Sequence, residues 1–310
     1  LTKKPGIAEL ALLSIAFIWG ATFILVQTAI QSLPPFSFLA IRFGLATILM
    51  GTLLAFRGKI GTLRQPRYLL AGSFLGAWLF LGYALQTFSL LYTTSGKSGF
   101  LTGVSVALVP LFSFWILGTK PNRYAIIGVG FALCGLWLLA FADFSHLNIG
   151  DTLAFLCAIG FGLQIVYTGK YAQWADALPI ATIQIGVVAL FSTCSSLIFE
   201  SPVVDVSGTI LFLPEVLIAL IVTVLFATVL AYVGQAHFQR HTHPTRVALI
   251  FAMEPVFAAW TDWMWLDTPM SLTTVIGCLC ILSGMVLAET GNRPPSPKLI
   301  QKEGTTCVEK

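Results

Sequence analysis

The sequence predicts an all-α integral membrane protein of ten transmembrane helices, arranged as two inverted five-helix repeats. Three observations lead there: a very apolar composition, apolar runs of spanning length between short punctuated connections, and marks that recur between the two halves. Hydrophobic residues make up 57% of the 310, charged ones only 10%, and mean hydropathy is +0.88. A soluble domain of that make-up would expose large apolar patches, whereas a bilayer accepts them if every backbone polar group is bonded internally. Long continuous apolar runs select helices over a barrel.

A hydrocarbon core of about 30 Å takes about 20 residues of helix. Lys3 and Lys4 precede the first run, 8–29, which is too long for a signal-peptide core and has no small-residue cleavage site after it, so it is expected to remain as a span. Pro34-Pro35 ends it and opens span two, 36–56; Arg57-Gly58-Lys59 turns the chain towards span three, 68–90. Span four, 98–118, is closed by Thr119-Lys120-Pro121 ahead of span five, 123–142. Span six, 150–171, and span seven, 180–199, follow; Ser201-Pro202 stops the latter, and span eight covers 215–238. His243-Pro244 opens span nine, 246–266, and Asp267-Thr268-Pro269 separates it from span ten, 271–289. The domains are therefore 1–145 (spans one to five), 146–290 (spans six to ten) and a polar, disordered cytoplasmic tail, 291–310.

With a cytoplasmic N-terminus, ten spans put all but Arg42 and Lys97 of the 17 Lys and Arg at the cytoplasmic side. Asp143, Asp151, Glu200, Asp205, Glu215, Asp262 and Asp267 fall towards the outside, as weaker corroboration. The pattern predicts a multi-pass protein of the cell membrane with both termini cytoplasmic, and fits a bacterial inner membrane. The net charge of +4 is scattered over short connections, which excludes a nucleic-acid partner. Cys134, Cys157, Cys194, Cys278, Cys280 and Cys307 show no paired metal spacing and read as small apolar fillers. His237 and His241 share a helix face near His243, but no Cys or Asp accompanies them, so neither a metal nor a cofactor is expected.

Tyr83-x-x-Gln86 recurs as Tyr232-x-x-Gln235 at an offset of 149 (232 − 83), and Gly128 with Gly135 recurs as Gly277 with Gly284 at the same offset. Pro110-Leu-Phe answers Pro255-Val-Phe with a shift of about one helical turn. Each half has an odd number of spans, so the second copy enters the membrane from the opposite side. Two similar, oppositely oriented halves can exchange roles around one midplane site, the architecture characteristic of secondary transporters.

The segments Trp19-Gly20-Ala21-Thr22-Phe23, Ser98-Gly99-Phe100-Leu101-Thr102-Gly103, Leu108-Val109-Pro110-Leu111 and Thr245-Arg246-Val247-Ala248-Leu249-Ile250-Phe251-Ala252-Met253-Glu254-Pro255-Val256-Phe257 give the chain, over about 8–290, a resemblance to the EamA branch of the drug/metabolite transporter superfamily. The resemblance implies export or exchange of metabolites, with spans one, three, four, six, eight and nine lining a central cavity and spans five and ten packed together behind it. The family often closes spans four and nine with a glutamate; here Gly118-Thr119 and Leu266-Asp267 stand there, which removes that coupling role. Its members include amino-acid exporters, nucleotide-sugar carriers and sugar permeases, so the resemblance fixes mechanism better than cargo.

Glu254 is the acidic residue deepest in an apolar run, about 12 Å along the helix from Arg246. A carboxylate there costs a few kcal/mol unless paired or protonated. It is a candidate for binding a substrate ammonium or cycling a proton; the alternative is a structural ion pair with Arg246, Arg42 or Lys97. Arg42 and Lys97 read as snorkelling cations or as partners of an anionic group. Gln27, Gln86, Gln164, Gln184 and Gln235 bring amides into the membrane, where they serve as interhelical glue or line a wet cavity. Trp19, Thr22, Phe23, Phe100, Tyr83, Tyr167 and Tyr232 are candidates for the walls of an amphipathic pocket, and Pro110 and Pro255 for matched helix breaks.

The substrate-binding set is therefore Trp19, Thr22, Tyr83, Gln86, Phe100, Gln164, Tyr167, Tyr232, Gln235 and Glu254, with Glu254 also the coupling candidate. The expected function is alternating-access export of amino acids or related amphipathic solutes by a monomer whose partners are a small molecule and the bilayer. A multidrug, nucleoside or sugar permease of the same fold is the alternative. An intramembrane enzyme would need clustered nucleophiles, paired carboxylates or a metal triad, and a sensor would need a signalling domain; the sequence offers neither.

Overall fold

The structure is a computed structural model and describes residues 5–93, 95–140, 148–200, 210–266 and 271–290. Lys3, Lys4, Asp143, Asp205, Cys307, the turns at Ser201-Pro202 and Asp267-Thr268-Pro269 and the tail 291–310 lie outside the described residues. The described residues hold helices and no strand.

Span one is α1 (Pro5–Ser32), span two α2 (Pro35–Phe56) and span three α3 (Pro66–Ser89). Span four divides into α4 (Ser95–Gly103) and α5 (Ser105–Leu117), and span five is α6 (Arg123–Ala140). In the second half, α7 (Ile149–Tyr171) and α8 (Ala177–Phe199) form spans six and seven. Span eight is α9 (Pro214–Val222), a π-helical segment (Thr223–Leu230) and α10 (Ala231–Phe238). Span nine divides into α11 (Pro244–Phe251) and α12 (Glu254–Leu266), and span ten is α13 (Leu272–Thr290). Among the described residues, seven of these spans are apolar helical runs of full crossing length, span four among them in spite of its break; α6 and α13 are shorter apolar helices, and the divided span nine completes ten traversals.

Local chemistry accounts for many of the ends. Proline, whose missing N–H costs nothing in a first turn, opens α2, α3, α9 and α11. Asn148 and Asp151 form a capping box at the start of α7. Gly118, at φ 67°, ends α5 in the left-handed conformation that only glycine adopts cheaply.

The repeat governs the packing. α6 lies on α13, where Gly128 faces Gly284 and Gly135 faces Gly277; a Cβ on Gly135 would stand 2.7 Å from Ile281. α2 lies on α8, and Glu200 at the end of α8 accepts hydrogen bonds from the N–H of Phe36 (2.5 Å) and Ser37 (2.8 Å), satisfying orphan donors of α2. Among the described residues two large apolar cores and a smaller one form; of the large ones, one lies around Leu12, Val106, Leu136 and Leu249 and the other around Phe38, Phe43, Leu79 and Ile185, and Trp19 packs against both. Outside them, Ile48, Phe56, Leu70, Trp115, Leu197 and Ile198 are exposed, a surface suited to lipid.

Pro110 does not break span four. It lies inside α5, whose helix continues past it, and the break falls at Val104 beside Gly103. A proline removes one hydrogen bond and bends a helix without having to end it. In span nine the break falls at Ala252 and Met253, and Pro255 occupies the first turn of α12. Val104 and Met253 stand at the same 149-residue offset as the Tyr83–Tyr232 pair, so the breaks obey the repeat and the prolines do not.

Candidate functional site

A cavity of about 900 Å³, counting its mouth, lies between the two halves. Of the residues expected in the site, Trp19, Thr22, Tyr83, Gln86, Gln164, Tyr232, Gln235 and Glu254 line it, as do Phe23 and Pro255.

Phe100 and Tyr167 do not. On α4, Gly99, Thr102 and Gly103 face the cavity, which turns Phe100 and Leu101 into the first apolar core. Tyr167 lies about one turn along α7 from the cavity residue Gln164, outside the cavity lining, with its ring against Phe74 at 4.6 Å and Tyr171 at 6.0 Å. Hydropathy flags an aromatic in a span without saying which way its helix is turned.

The Tyr232 hydroxyl donates to the Tyr83 hydroxyl at 2.8 Å, so the axis relating the halves passes close to this contact. Around it, Trp19 packs on Tyr232 at 5.5 Å and on Phe251 at 4.9 Å, and Phe161 on Tyr83 at 5.3 Å. The three amides that line the cavity bond laterally: Gln164 and Gln235 exchange hydrogen bonds of 3.4 and 3.3 Å, and Gln86 donates to Thr102 at 3.3 Å. Gln235 donates also to Gln239, whose own amide reaches the Ile165 carbonyl at 2.6 Å.

Glu254 opens α12, at a helix N-terminus whose dipole favours negative charge. Gly20 lets α1 come against it: a Cβ there would overlap the Glu254 carbonyl and lie 2.8 Å from Phe257. None of the three cations that the sequence offered as partners pairs with it. Arg246 binds Glu9 at 2.8 Å, Lys97 binds Asp151 at 2.8 Å, and Arg42 donates through Nε to Thr228 at 3.0 Å. Among the described residues the Glu254 carboxyl has neither a hydrogen bond nor an ion pair, and it faces the cavity.

Arg42 also lines the cavity. The sequence marked it as a cation well inside span two, which could have flagged it, but membrane depth alone does not separate a snorkelling side chain from an inward one. The π segment explains its setting. The widened turns of span eight leave the Ala227 carbonyl free to accept from Trp19 Nε1 at 2.9 Å and, more loosely, from Arg42 Nη2 at 3.5 Å.

The cations of these two ion pairs also follow the repeat. Lys97 and Arg246 stand at the 149-residue offset, each at the start of a divided span. Lys97, in the first half, binds Asp151 of the second; Arg246, in the second, binds Glu9 of the first. Ten traversals place the two pairs at opposite ends of the bundle. The Lys97–Asp151 side chains are each 3% exposed, those of Arg246 and Glu9 16% and 8%.

A family model described as the EamA-like transporter family matches residues 6–141 and again 148–290. An uncharacterized transporter of Archaeoglobus fulgidus is 31% identical over 81% of this chain and 75% of its own length. The uncharacterized transporter YetK of Bacillus subtilis is 29% identical over 98% and 93%, and the uncharacterized inner membrane transporter YhbE of Escherichia coli 24% identical over 94% of each chain. A crystal structure aligns over 92% of this chain and 97% of its own with a TM-score of 0.75 at 18% identity, a likeness of fold.

Proposed function

The chain belongs to the EamA-like transporter family, and on that premise we propose that it is a secondary carrier working by alternating access. Its cargo is an amino acid or a related amphipathic metabolite, moved outward across a bacterial inner membrane by a monomer with both termini in the cytoplasm. The observation that carries this reading is Glu254: a carboxyl without a partner among the described residues, on the wall of a cavity between two inverted halves. Such a group supplies what an ammonium or a proton requires, and its partner arrives from outside the protein. The work is binding and movement, with no bond broken.

The crossed ion pairs supply the two closures. A carrier that opens one end at a time separates its halves there while they stay together at the other. Opening the Lys97 end breaks the Lys97–Asp151 bridge and leaves Arg246–Glu9 intact; opening the other end does the reverse. Because the cations of the two bridges stand at repeat-related positions, the two open states are alternative packings of similar parts.

Proteoliposomes loaded with mixed amino acids, with and without a pH gradient, test the reading by mass-spectrometric analysis of what is released. The expected result is faster release of one or a few amino acids than from protein-free vesicles, with a large loss in Glu254→Gln. Release no faster than from protein-free vesicles would overturn the amino-acid cargo and turn the search to nucleosides, sugars and cationic drugs.

A further inference from the structure

We propose that Arg42 is the carboxylate-binding group of the cavity, so that a zwitterionic solute lies with its carboxylate at Arg42 and its ammonium at Glu254. This deepens the amino-acid reading above and rests on it.

An arginine at this depth is costly unless something meets its charge. Arg42 is 3% exposed, and among the described residues no carboxylate lies within ion-pair distance of it. What holds it is neutral. Thr228 accepts from Nε, Ala227 accepts loosely from Nη2, and the rings of Phe43 and Tyr83 lie 4.9 and 5.1 Å from its central carbon. These contacts fix the plane of the guanidinium while using few of its five donors, and the remaining fork has the shape that grips a carboxylate with two parallel bonds. Two rings about 5 Å from its central carbon and a π-helical segment at Nε are a mounting for a group whose remaining donors can meet a ligand.

The cavity thus carries one arginine and one carboxyl group that are not joined to each other. Both line the same chamber as the Tyr83–Tyr232 hydroxyl pair. A cationic amine would satisfy Glu254 and leave Arg42 desolvated beside it; an anion would do the opposite. A molecule carrying both charges satisfies both, and the unpaired group is what penalises the others. The aromatic wall of Trp19, Phe23, Phe161 and Phe251 is left for an apolar side chain.

The test uses release from the amino-acid-loaded proteoliposomes with three competitors: leucine, leucine methyl ester, which lacks the carboxylate, and N-acetyl-leucine, which lacks the ammonium. In the wild type, leucine is expected to compete about tenfold or more better than either derivative, the scale of a buried charge left unpaired. Arg42→Gln makes leucine and its methyl ester equal and keeps the preference over N-acetyl-leucine; Arg42→Lys, which retains the charge, restores part of the first preference. Glu254→Gln gives the reverse pattern. Thermal unfolding in detergent checks that each variant folds, and should Arg42→Gln fail to fold, Arg42→Lys must still narrow the leucine-to-ester preference. If Arg42→Gln transports and keeps the wild-type preference for leucine over its ester, the role of Arg42 is wrong while the amino-acid carrier stands. If the wild type releases no amino acid, the carrier reading falls first and takes this one with it.

Discussion

In span four, Lys97, the break at Val104 and Ser105 follow one another at the spacing at which Arg246, the break at Met253 and Glu254 follow in span nine. Both cations cross to a carboxylate of the other half, and both breaks open towards one cavity. At the last position the copies differ: Ser105 and Glu254 face the same chamber, and only one carries charge. Spans three and eight diverge in the same way. Tyr83 and Tyr232 meet across the pseudo-axis, yet α3 is regular throughout while span eight is π-helical from Thr223 to Leu230, where it receives Trp19 and Arg42. What repeats sets the backbone path and the cations of the ion pairs; what fails to repeat sets the polar lining of the chamber.

The largest expected effect breaks the symmetry of the closures. Lys97→Met strands Asp151 where both side chains are 3% exposed, and should cost about 3–5 kcal/mol in detergent unfolding, the usual cost of halving a buried pair. Arg246→Met strands Glu9 in a more open site and should cost less than half as much. Equal losses would show that burial does not distinguish the two ends.

Next in size is a change that restores the symmetry. Glu254→Ser makes span nine match span four and should lower transport about tenfold or more, whereas Ser105→Ala should change it less than about threefold. Comparable losses would place the chemistry in both halves equally.

The smallest effect sharpens the comparison at the axis. Tyr83→Phe and Tyr232→Phe delete the same 2.8 Å hydrogen bond, so each should cost about 1 kcal/mol, and the double variant should cost clearly less than the sum of the two. A fully additive double variant would mean that the two hydroxyls do not act on each other.

Much of the site was legible before any coordinates. The recurrence of Tyr83-x-x-Gln86 at Tyr232-x-x-Gln235 selected residues that meet at the axis, because related positions of an inverted repeat converge where the axis crosses the bundle. Glu254 was conspicuous because a carboxyl in an apolar run has few structural excuses. Phe100 and Tyr167 were misplaced because an aromatic suits a lipid face, a core and a pocket alike. Pro110 misled for a related reason: its effect depends on whether neighbouring helices let the helix run on.

The sequence by itself determined the number of spans, where they start and stop, and the internal repeat. The free energy of burying a helix in lipid depends on composition and length, both of which are written along the chain. The tertiary structure decided how each helix is rotated about its axis, and therefore which ion pairs form at the ends, that Glu254 is left without a partner among the described residues, and that Arg42 turns inward. Those outcomes depend on contacts between residues as far apart in the chain as Arg42 and Thr228 or Glu9 and Arg246, and within a span only packing against neighbouring helices sets the rotation.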